Sequence, residues 1–429
     1  RKEGLPRAEI SRKIAENLDL LAVLKRSVKN FDGGYTMAGM IGNGDLFIMR
    51  DACGIRPGFF YQDDEFVVVA SERPAIQTAF NVPIDSVQEI RPGHALIVRK
   101  NGEVLHEQIC EVNEISPCSF ERIYFSRGTD RDIYTERKQL GRQLTDRVLK
   151  AVDYNLDQTV FSYIPNTAET AFMGLIEGVR SYVADRAQHY LQAEQNLSAE
   201  RIHELIHYQP RMEKIMTKDA KLRTFITADA DRTELVSMVY DTTYGVVKPD
   251  DTLVVLDDSI VRGTTLRESI LRILDRLRPK KIVIVSSAPQ IRYPDCYGID
   301  MSKAKDFVAF QAGIALVKET GREALLHEVY EKCKASMDQP RDQVVNEVKP
   351  IFDLFTLEDI EKKIAEIMRP ADLKAEFEVI YQSIEGLHAA CPDHKGDWYF
   401  TGNYPTPGGN RVVNRSFINF IENSDERAY

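Results

Sequence analysis

The chain has 429 residues, enough for two or three domains with cores of their own. Hydrophobic residues make up 43% and charged residues 28%, the balance of a globular protein, while 66 acidic against 56 basic residues leave a net charge of −10 with no basic block, which argues against nucleic acid as the main partner. No apolar run approaches membrane-spanning length, no signal-peptide pattern opens the chain, and six scattered Cys make no disulfide framework, so no membrane partner and a cytoplasmic location are expected. The first residue is Arg1 rather than Met, so a fragment or a trimmed chain is expected.

Residues 6 to 29 read as one amphipathic helix, with Ile10, Ile14, Leu18, Leu21 and Leu24 along a side and a Gly33-Gly34 turn beyond it. Short strands follow at Tyr35–Ile41, Leu46–Arg50, Gly58–Tyr61 and Glu65–Ala70, separated by Gly- and Asp-bearing turns that suit hairpins. Two more strands, Ala95–Val98 and Val104–Gln108, complete an antiparallel sheet. Residues 135 to 151 read as a helix and Thr159–Ile164 as a strand. The turn Ile164-Pro165-Asn166-Thr167-Ala168-Glu169-Thr170 then leads into a helix over Ala171–Tyr182.

Residues 183 to 216 are polar and helical. They contain His203-Glu204-Leu205-Ile206-His207, a formal HExxH in which two His on one helix face would hold Zn²⁺ with Glu204 as base. No third ligand is apparent downstream, and a solvated helix face is the better reading.

The most informative stretch is Leu253-Val254-Val255-Leu256-Asp257-Asp258-Ser259-Ile260-Val261-Arg262-Gly263-Thr264-Thr265. Its apolar run fits a strand buried on both faces. Two carboxylates end the run, a turn rich in small and hydroxylic residues follows, and Leu266, Ile270, Ile273, Leu274 and Leu277 recur at helical spacing before a strand over Lys281 to Ser286. The strand-to-helix turn of such a βαβ unit lies at the carboxyl end of a parallel strand, where these sheets bind ligands. Hydroxyls and free N–H groups at a helix N-terminus favour a phosphate, Gly263 permits close approach, and Asp257 and Asp258 can hold ribose hydroxyls directly or through Mg²⁺. No GxxxxGK[ST] is present, so this is not a Walker loop. Residues 322 to 390 read as several helices.

The run Val255 to Thr265 resembles the phosphoribosyl pyrophosphate (PRPP) signature of type I phosphoribosyltransferases, and its wording is most similar to that of the amidophosphoribosyltransferase family, the glutamine PRPP amidotransferases, which form phosphoribosylamine in the first committed step of purine synthesis. Other words carry the same resemblance. Gly33-Gly34-Tyr35, Arg50-Asp51, Gly54-Ile55-Arg56-Pro57, Ala70-Ser71-Glu72 and Arg91-Pro92-Gly93 resemble the second half of the family's glutaminase domain. Glu121, Tyr124, Phe125, Arg127, Arg137 and Gly141 match its connection into the transferase, with Gly128 where relatives usually carry Pro. Arg223-Thr224-Phe225-Ile226, Ser287 to Pro294, Tyr297-Gly298-Ile299-Asp300 and Phe400 to Thr406 match further on.

The resemblance implies an α/β plus α+β architecture: a type I phosphoribosyltransferase parallel sheet flanked by helices, preceded by a partial class II (N-terminal nucleophile) glutaminase sandwich. The expected divisions are the C-terminal half of a glutaminase-like domain at 1–117, a phosphoribosyltransferase-like domain at 118–321 with 183–216 as an insertion, and a helical region at 322–429. PRPP would be held by Asp257, Asp258, Ser259, Ile260, Val261, Arg262, Gly263, Thr264 and Thr265, with Asn166, Thr167 and Ala168 at the pyrophosphate. Mg²⁺ would lie at Asp257, Asp258 and Thr167, a plain helix N-cap being the alternative for Thr167. Ammonia, glutamine-derived in the family, would displace pyrophosphate. Purine nucleotides are possible further ligands, and a homo-oligomer is expected.

Three departures from the family qualify this. Its glutaminase nucleophile is an N-terminal Cys, whereas the first Cys here is the internal Cys53, read as structural, so no glutamine hydrolysis is expected. The family's basic flexible loop falls at Ala228 to Asp241, where only Arg232 is basic, so a paralogue that binds PRPP or nucleotide in a regulatory role, without turnover, is the alternative. Of the four cluster ligands in its iron–sulfur branch, Cys118 fits the first and Cys296 sits one position from the second. The last two fall at Asp393 to Trp398 with only Cys391 nearby, so no cluster is expected.

Overall fold

A computed structural model describes residues 4, 6–194, 197–218, 240–297 and 301–428. The chain forms two compact units. The first takes in the chain up to Cys118 with short pieces beginning at Cys296 and at Pro405, and the second takes in the remainder from Ser119.

In the first unit seven antiparallel strands form two sheets: β1 (Thr36–Met40), β2 (Leu46–Arg50), β3 (Phe59–Gln62), β4 (Val67–Ala70), β5 (Gln88–Glu89), β6 (His94–Val98) and β7 (Val104–Gln108). The sheet orders are β1-β2-β6-β7 and β4-β3-β5. Alternation along β2 and β6 buries both faces of the larger sheet. Met49, Ala95 and Ile97 pack with Leu20, Leu24 and Val28, while Ile48 and Leu96 pack with Phe60 and Ile90.

The single helix expected over 6–29 is two, Arg7–Asn17 and Leu20–Ser27, parted at Leu18-Asp19, where the Asp19 side chain caps the second by accepting from the Ala22 N–H at 3.0 Å. The first helix buries no residue, and Ile14 is exposed. The apolar side that packs is therefore Leu20, Leu24 and Val28, not the stripe through Ile10 and Ile14.

Several words of the glutaminase resemblance form one polar knot here. Asp51 is buried and accepts from the N–H groups of Tyr35, Cys53, Ile55 and Arg56 at 2.9–3.3 Å. Beside it the Arg50 guanidinium donates to the carbonyls of Gly54, Arg56 and Ile90. A Cβ on Gly34 would collide with Ile55, which explains a glycine there.

The second unit is built on five parallel strands: β8 (Thr159–Tyr163), β9 (Arg211–Met212), β12 (Thr252–Asp257), β13 (Lys281–Ser286) and β14 (Glu376–Tyr381), with a separate antiparallel pair, β10 (Met216–Lys218) and β11 (Tyr240–Thr242). The order is β14-β13-β12-β8-β9. Chain direction across the sheet thus reverses between β8 and β12, which makes the gap beyond their carboxyl ends the topological switch point. Leu253, Val254, Val255 and Leu256 have no exposed surface. Val254 and Leu256 pack with Phe161, Val283, Val285 and, from the helix Glu169–Ala193, Phe172, Leu175 and Val179.

Two segments read otherwise from sequence supply edge strands. Within 183–216, Arg211 and Met212 pair with Val160 and Phe161, and within 322–390 the run Glu376–Tyr381 pairs with Lys281–Ser286. The first is only two residues long, too short for a period to show, and the second lies between segments that read as helices. The helix expected over 135–151 is also two, Arg131–Gln143 and Thr145–Ala151.

Glycines set how closely the helices Arg131–Gln143 and Glu169–Ala193 cross. A Cβ on Gly141 would strike the Ala171 carbonyl, and one on Gly174 the Lys138 carbonyl. Ala has a helix preference of about 1 kcal/mol over Gly, but overpacking against backbone costs about 1–3 kcal/mol and dominates. Gly141→Ala is expected to lower stability by about 1–2 kcal/mol in urea unfolding, and an unchanged midpoint would contradict this packing.

Candidate functional site

β12 delivers Asp257 at its carboxyl end, and Asp258 follows at the switch point. The backbone around the pair is clamped. The Ile164 N–H donates to the Leu256 carbonyl at 2.9 Å, the Ser287 N–H to Asp257 O at 2.9 Å, and the Ala288 N–H and Ser287 hydroxyl to Asp258 O, each at 3.0 Å. The main-chain oxygens of the pair are thereby occupied, and the carboxylates are left to face the turn. Asp258 N–H donates to Asp257 Oδ1, and Ser259 Oγ to Asp258 Oδ1, both at 2.9 Å.

Both carboxyl pKa values stand above the ordinary 3.8. Burial is the main cause for each, and for Asp257 the neighbouring Asp258 charge adds to it. The bond from the Ser259 hydroxyl, the nearby Arg137 guanidinium and the neighbouring Thr167 hydroxyl offset part of the shift at Asp258. Arg137 is buried and anchored through the Arg122 and Ser126 carbonyls, to which it donates at 2.8 and 2.7 Å. The phenols of Tyr124 and Tyr240 are raised, first by burial and then by the two carboxylates. Tyr381 shares the strand-end row with Asp257 through Ser286, and its fully buried hydroxyl has no hydrogen-bond partner among the described residues.

The Thr167 contact matters most. The helix that follows is capped at Ala168, and no side chain caps it, so the N-cap alternative for Thr167 does not hold. The Thr167 hydroxyl instead lies near enough to Asp258 to favour its ionised form. Asn166, Thr167 and Ala168 therefore lie with the acidic pair, as adjacent β8 and β12 require.

Along the rest of the turn, Ile260 is buried and holds it down, while Arg262, Thr264 and Thr265 are exposed. The Val261 carbonyl accepts from the Val308 N–H at 3.0 Å. Gly263 has φ +69°, a left-handed position, and Met368 Sδ lies 3.0 Å from where a Cβ would stand. The Arg267 N–H donates to the Gly263 carbonyl at 2.9 Å, and the helical run continues through Leu266–Ile270 and Leu271–Asp275.

As a donor set, the two carboxylates and the Thr167 hydroxyl are hard oxygens. Mg²⁺ takes one or two such carboxylates while keeping waters and phosphate oxygens, and a divalent cation relieves the strain of two neighbouring acids that oppose each other's ionisation. The residues fit that ion.

Other sequence candidates lie apart from this corner. His203 and His207 stack with ring centroids 4.0 Å apart on an exposed helix, and Glu204 pairs with Arg201. Among the described residues no three His, Cys, Asp or Glu side chains gather to hold a metal. None of the six cysteines is in a disulfide. Cys53 is buried, and burial together with Asp51 pushes its thiol up to about 11, which makes it inert rather than nucleophilic. The words Arg223 to Ile226, the loop from Ala228 as far as Val239, and Gly298 to Asp300 lie outside the described residues. Arg137 and Tyr124 entered the sequence reading only as matching words, and their place beside the acids had no local signal.

A raised carboxyl pKa means that the folded state favours the protonated form. That contribution to stability is whole below the ordinary 3.8 and is lost as pH rises through the raised values. Without Mg²⁺, the thermal midpoint of Asp257→Asn should exceed that of the unsubstituted chain at about pH 8, the advantage shrinking towards about pH 4. Equal midpoints at the higher pH would contradict the electrostatic reading of the pair.

No protein-family model matches the chain. It is 26% identical over 336 residues to an amidophosphoribosyltransferase of Pasteurella multocida, covering 76% of this chain and 60% of the relative. To the amidophosphoribosyltransferase of Haemophilus influenzae it is 28% identical over 311 residues, with coverages of 70% and 55%, and to that of Saccharomyces cerevisiae 27% over 384 residues, with coverages of 85% and 69%. It thus resembles amidophosphoribosyltransferases while spanning 60% of the length of the first of these. Among solved structures, glutamine PRPP amidotransferase from B. subtilis complexed with ADP and GMP matches with a TM-score of 0.58 and 23% identity, covering 94% of this chain and 73% of that one. A structure described as the allosteric regulatory enzyme of purine biosynthesis matches with a TM-score of 0.58 and 22% identity, covering 94% and 71%. At these identities the likeness is one of fold. The parallel five-stranded sheet with its helices fits the fold of these two structures.

Proposed function

We propose that the second unit binds PRPP at the corner between β8 and β12 and forms 5-phosphoribosylamine from PRPP and ammonia. The observation that carries this reading is the pairing of β8 beside β12, with the Ile164 N–H on the Leu256 carbonyl, which brings together the two sequence turns assigned to one substrate. Asp257 and Asp258 hold the ribose hydroxyls. The Ser259–Thr265 turn, with Ile260, Val261, Arg262, Gly263 and Thr264, cradles the 5-phosphate, and Asn166, Thr167 and Ala168 take the pyrophosphate. Ammonia forms its bond to C1 as the bond from C1 to pyrophosphate breaks. Positive charge that develops on the ribose ring is stabilised by the two carboxylates at its edge. When bound at Asp257, Asp258 and Thr167, Mg²⁺ neutralises charge on the departing pyrophosphate.

The reading extends to the rest of the chain. Residues 1–117 are proposed as the C-terminal half of a class II glutaminase sandwich, 118–321 as the phosphoribosyltransferase-like domain and 322–429 as a mainly helical region that adds the edge strand β14 to its sheet. A cytoplasmic homo-oligomer in purine biosynthesis, with purine nucleotides as further ligands, is part of the same proposal. The relatives' names and the nucleotides in the B. subtilis structure's description support it. A second reading, binding without turnover, is favoured by the sequence from Ala228 to Asp241, where Arg232 is the one basic residue.

Pyrophosphate release from PRPP with ammonium and Mg²⁺ tests both. Turnover above background, reduced about a hundredfold or more by Asp257→Ala with Asp258→Ala, is the expected result. PRPP binding without pyrophosphate release would leave only the second reading, and neither binding nor release would remove both.

A further inference from the structure

The sheet of the second unit ends at β14, whose outer side carries no further strand among the described residues. The N–H groups of Glu376 and Gln382 donate inwards, to the carbonyls of Lys280 and Ser286, so alternation turns the main-chain groups of Phe377, Val379 and Tyr381 outwards. At Tyr381 they are occupied: its N–H donates to Glu361 at 2.7 Å, and its carbonyl accepts from the Arg147 guanidinium. The N–H and carbonyl of Phe377 and of Val379 have no partner among the described residues. Beside them lies a groove of about 750 Å³ between β14, the helix Leu357–Met368 and the end of the helix Thr145–Ala151. No residue of 164–170 or 257–265 lines it, so the proposed reaction does not use it.

We propose that this edge is a docking strand: an extended acidic peptide adds to the sheet beside β14, with alternate carboxylates turned to Lys362 and Arg369. An unpaired strand edge is a template for another strand, and the main-chain bonds it offers supply affinity whatever the side chains. Charge then selects among sequences. The acids of the lining are already paired, Glu358 and Glu361 with Arg147, Glu366 with Lys363 and Glu378 with Lys281. Lys150, Lys362 and Arg369 are exposed and make no ion pair among the described residues. Lys362 acts on Asp359 only from a distance, and Arg369 donates to the Leu373 carbonyl at 3.0 Å. The cations of the groove are thus left over once its acids are satisfied, and an acidic occupant complements them.

The two faces of the strand set the pattern. Ile380 belongs to the cluster of Leu144 and Val148, so Phe377 and Val379 turn to the opposite face, where the helix Leu357–Met368 packs on β14. Side chains of the added strand that share this face meet Lys362 and Arg369 over an apolar floor of Phe377, Val379 and Ala365. From Glu358 to Arg369 the helix face runs about 16 Å at about 1.5 Å per residue, room for about five residues of extended chain. A second copy of this chain is the poorer occupant, because pairing two β14 edges would set Glu376 and Glu378 of each beside those of the other.

The test is fluorescence anisotropy of a labelled heptapeptide in which Glu and Thr alternate, titrated with the full chain. The expected result is saturable binding that Lys362→Glu with Arg369→Glu weakens about tenfold or more, while the thermal midpoint of that variant stays that of the unsubstituted chain. A heptapeptide with Lys in place of Glu should not bind. Nor should the Glu/Thr peptide once two adjacent central amides are N-methylated and can no longer donate. Equal affinity for the methylated peptide would overturn strand addition. An unchanged affinity in the double variant, or a Lys/Thr peptide that binds as well, would overturn the acidic assignment. No binding of the Glu/Thr peptide would overturn the proposal outright, and a chain that dimerises in sedimentation while refusing the peptide would put a second copy at this edge instead.

Discussion

Two like charges at adjacent positions, half withdrawn from water at the end of a fully buried strand, are the constraint around which the second unit is arranged. Asp257 and Asp258 oppose each other's ionisation, and burial opposes it further. A chain selected for stability alone gains nothing from such a pair, since buried carboxylates destabilise unless paired and hydrogen-bonded. The surroundings hold the pair in place without neutralising it. Ser287 and Ala288 occupy its carbonyls, Ser259 donates its hydroxyl to Asp258, and Arg137 and Thr167 stand near enough to moderate the charge. What remains is a pair of carboxylates whose charge the fold moderates only in part.

The first unit provides a contrast. Asp51 is also an Asp lifted by burial, yet four backbone N–H donors close around it and an Arg braces the same turn. That carboxylate is satisfied internally and serves packing. The two sites differ in how fully the fold fills the acceptor sites of the same side chain. Sheet order explains why the unfilled one is where it is. Adjacent parallel strands whose onward connections run in opposite directions leave a gap beyond their carboxyl ends, and here the strands flanking that gap are β8 and β12.

Much of this was legible in the residues because the signals are local. The apolar run before Asp257, the alternation in β2 and β6 and the Gly-bearing hairpin turns each have one physical interpretation, and the structure has those strands within a residue or two of where the pattern puts them. What escaped depends on contacts distant in sequence. Arg211–Met212 and Glu376–Tyr381 are strands because a sheet edge is there to receive them, not because their own pattern demands it. The break at Leu18-Asp19 follows from an Asp cap that outweighs a continuous stripe, and the apolar stripe then shifts to Leu20 and Leu24. At the site, the acidic turn stood out, whereas Arg137, Tyr240 and Tyr381 reach it from elements whose position no spacing rule supplies.

The central claim is that the open acids, together with the turn that follows, grip a sugar phosphate. Calorimetry of PRPP with Mg²⁺ on the unsubstituted chain and on Asp257→Asn with Asp258→Asn tests it most directly. Removing two charge-assisted acceptors while preserving shape should weaken PRPP by about a hundredfold or more, and the dependence on Mg²⁺ should largely vanish with them. An affinity that is the same in both proteins, with or without the ion, would contradict the account.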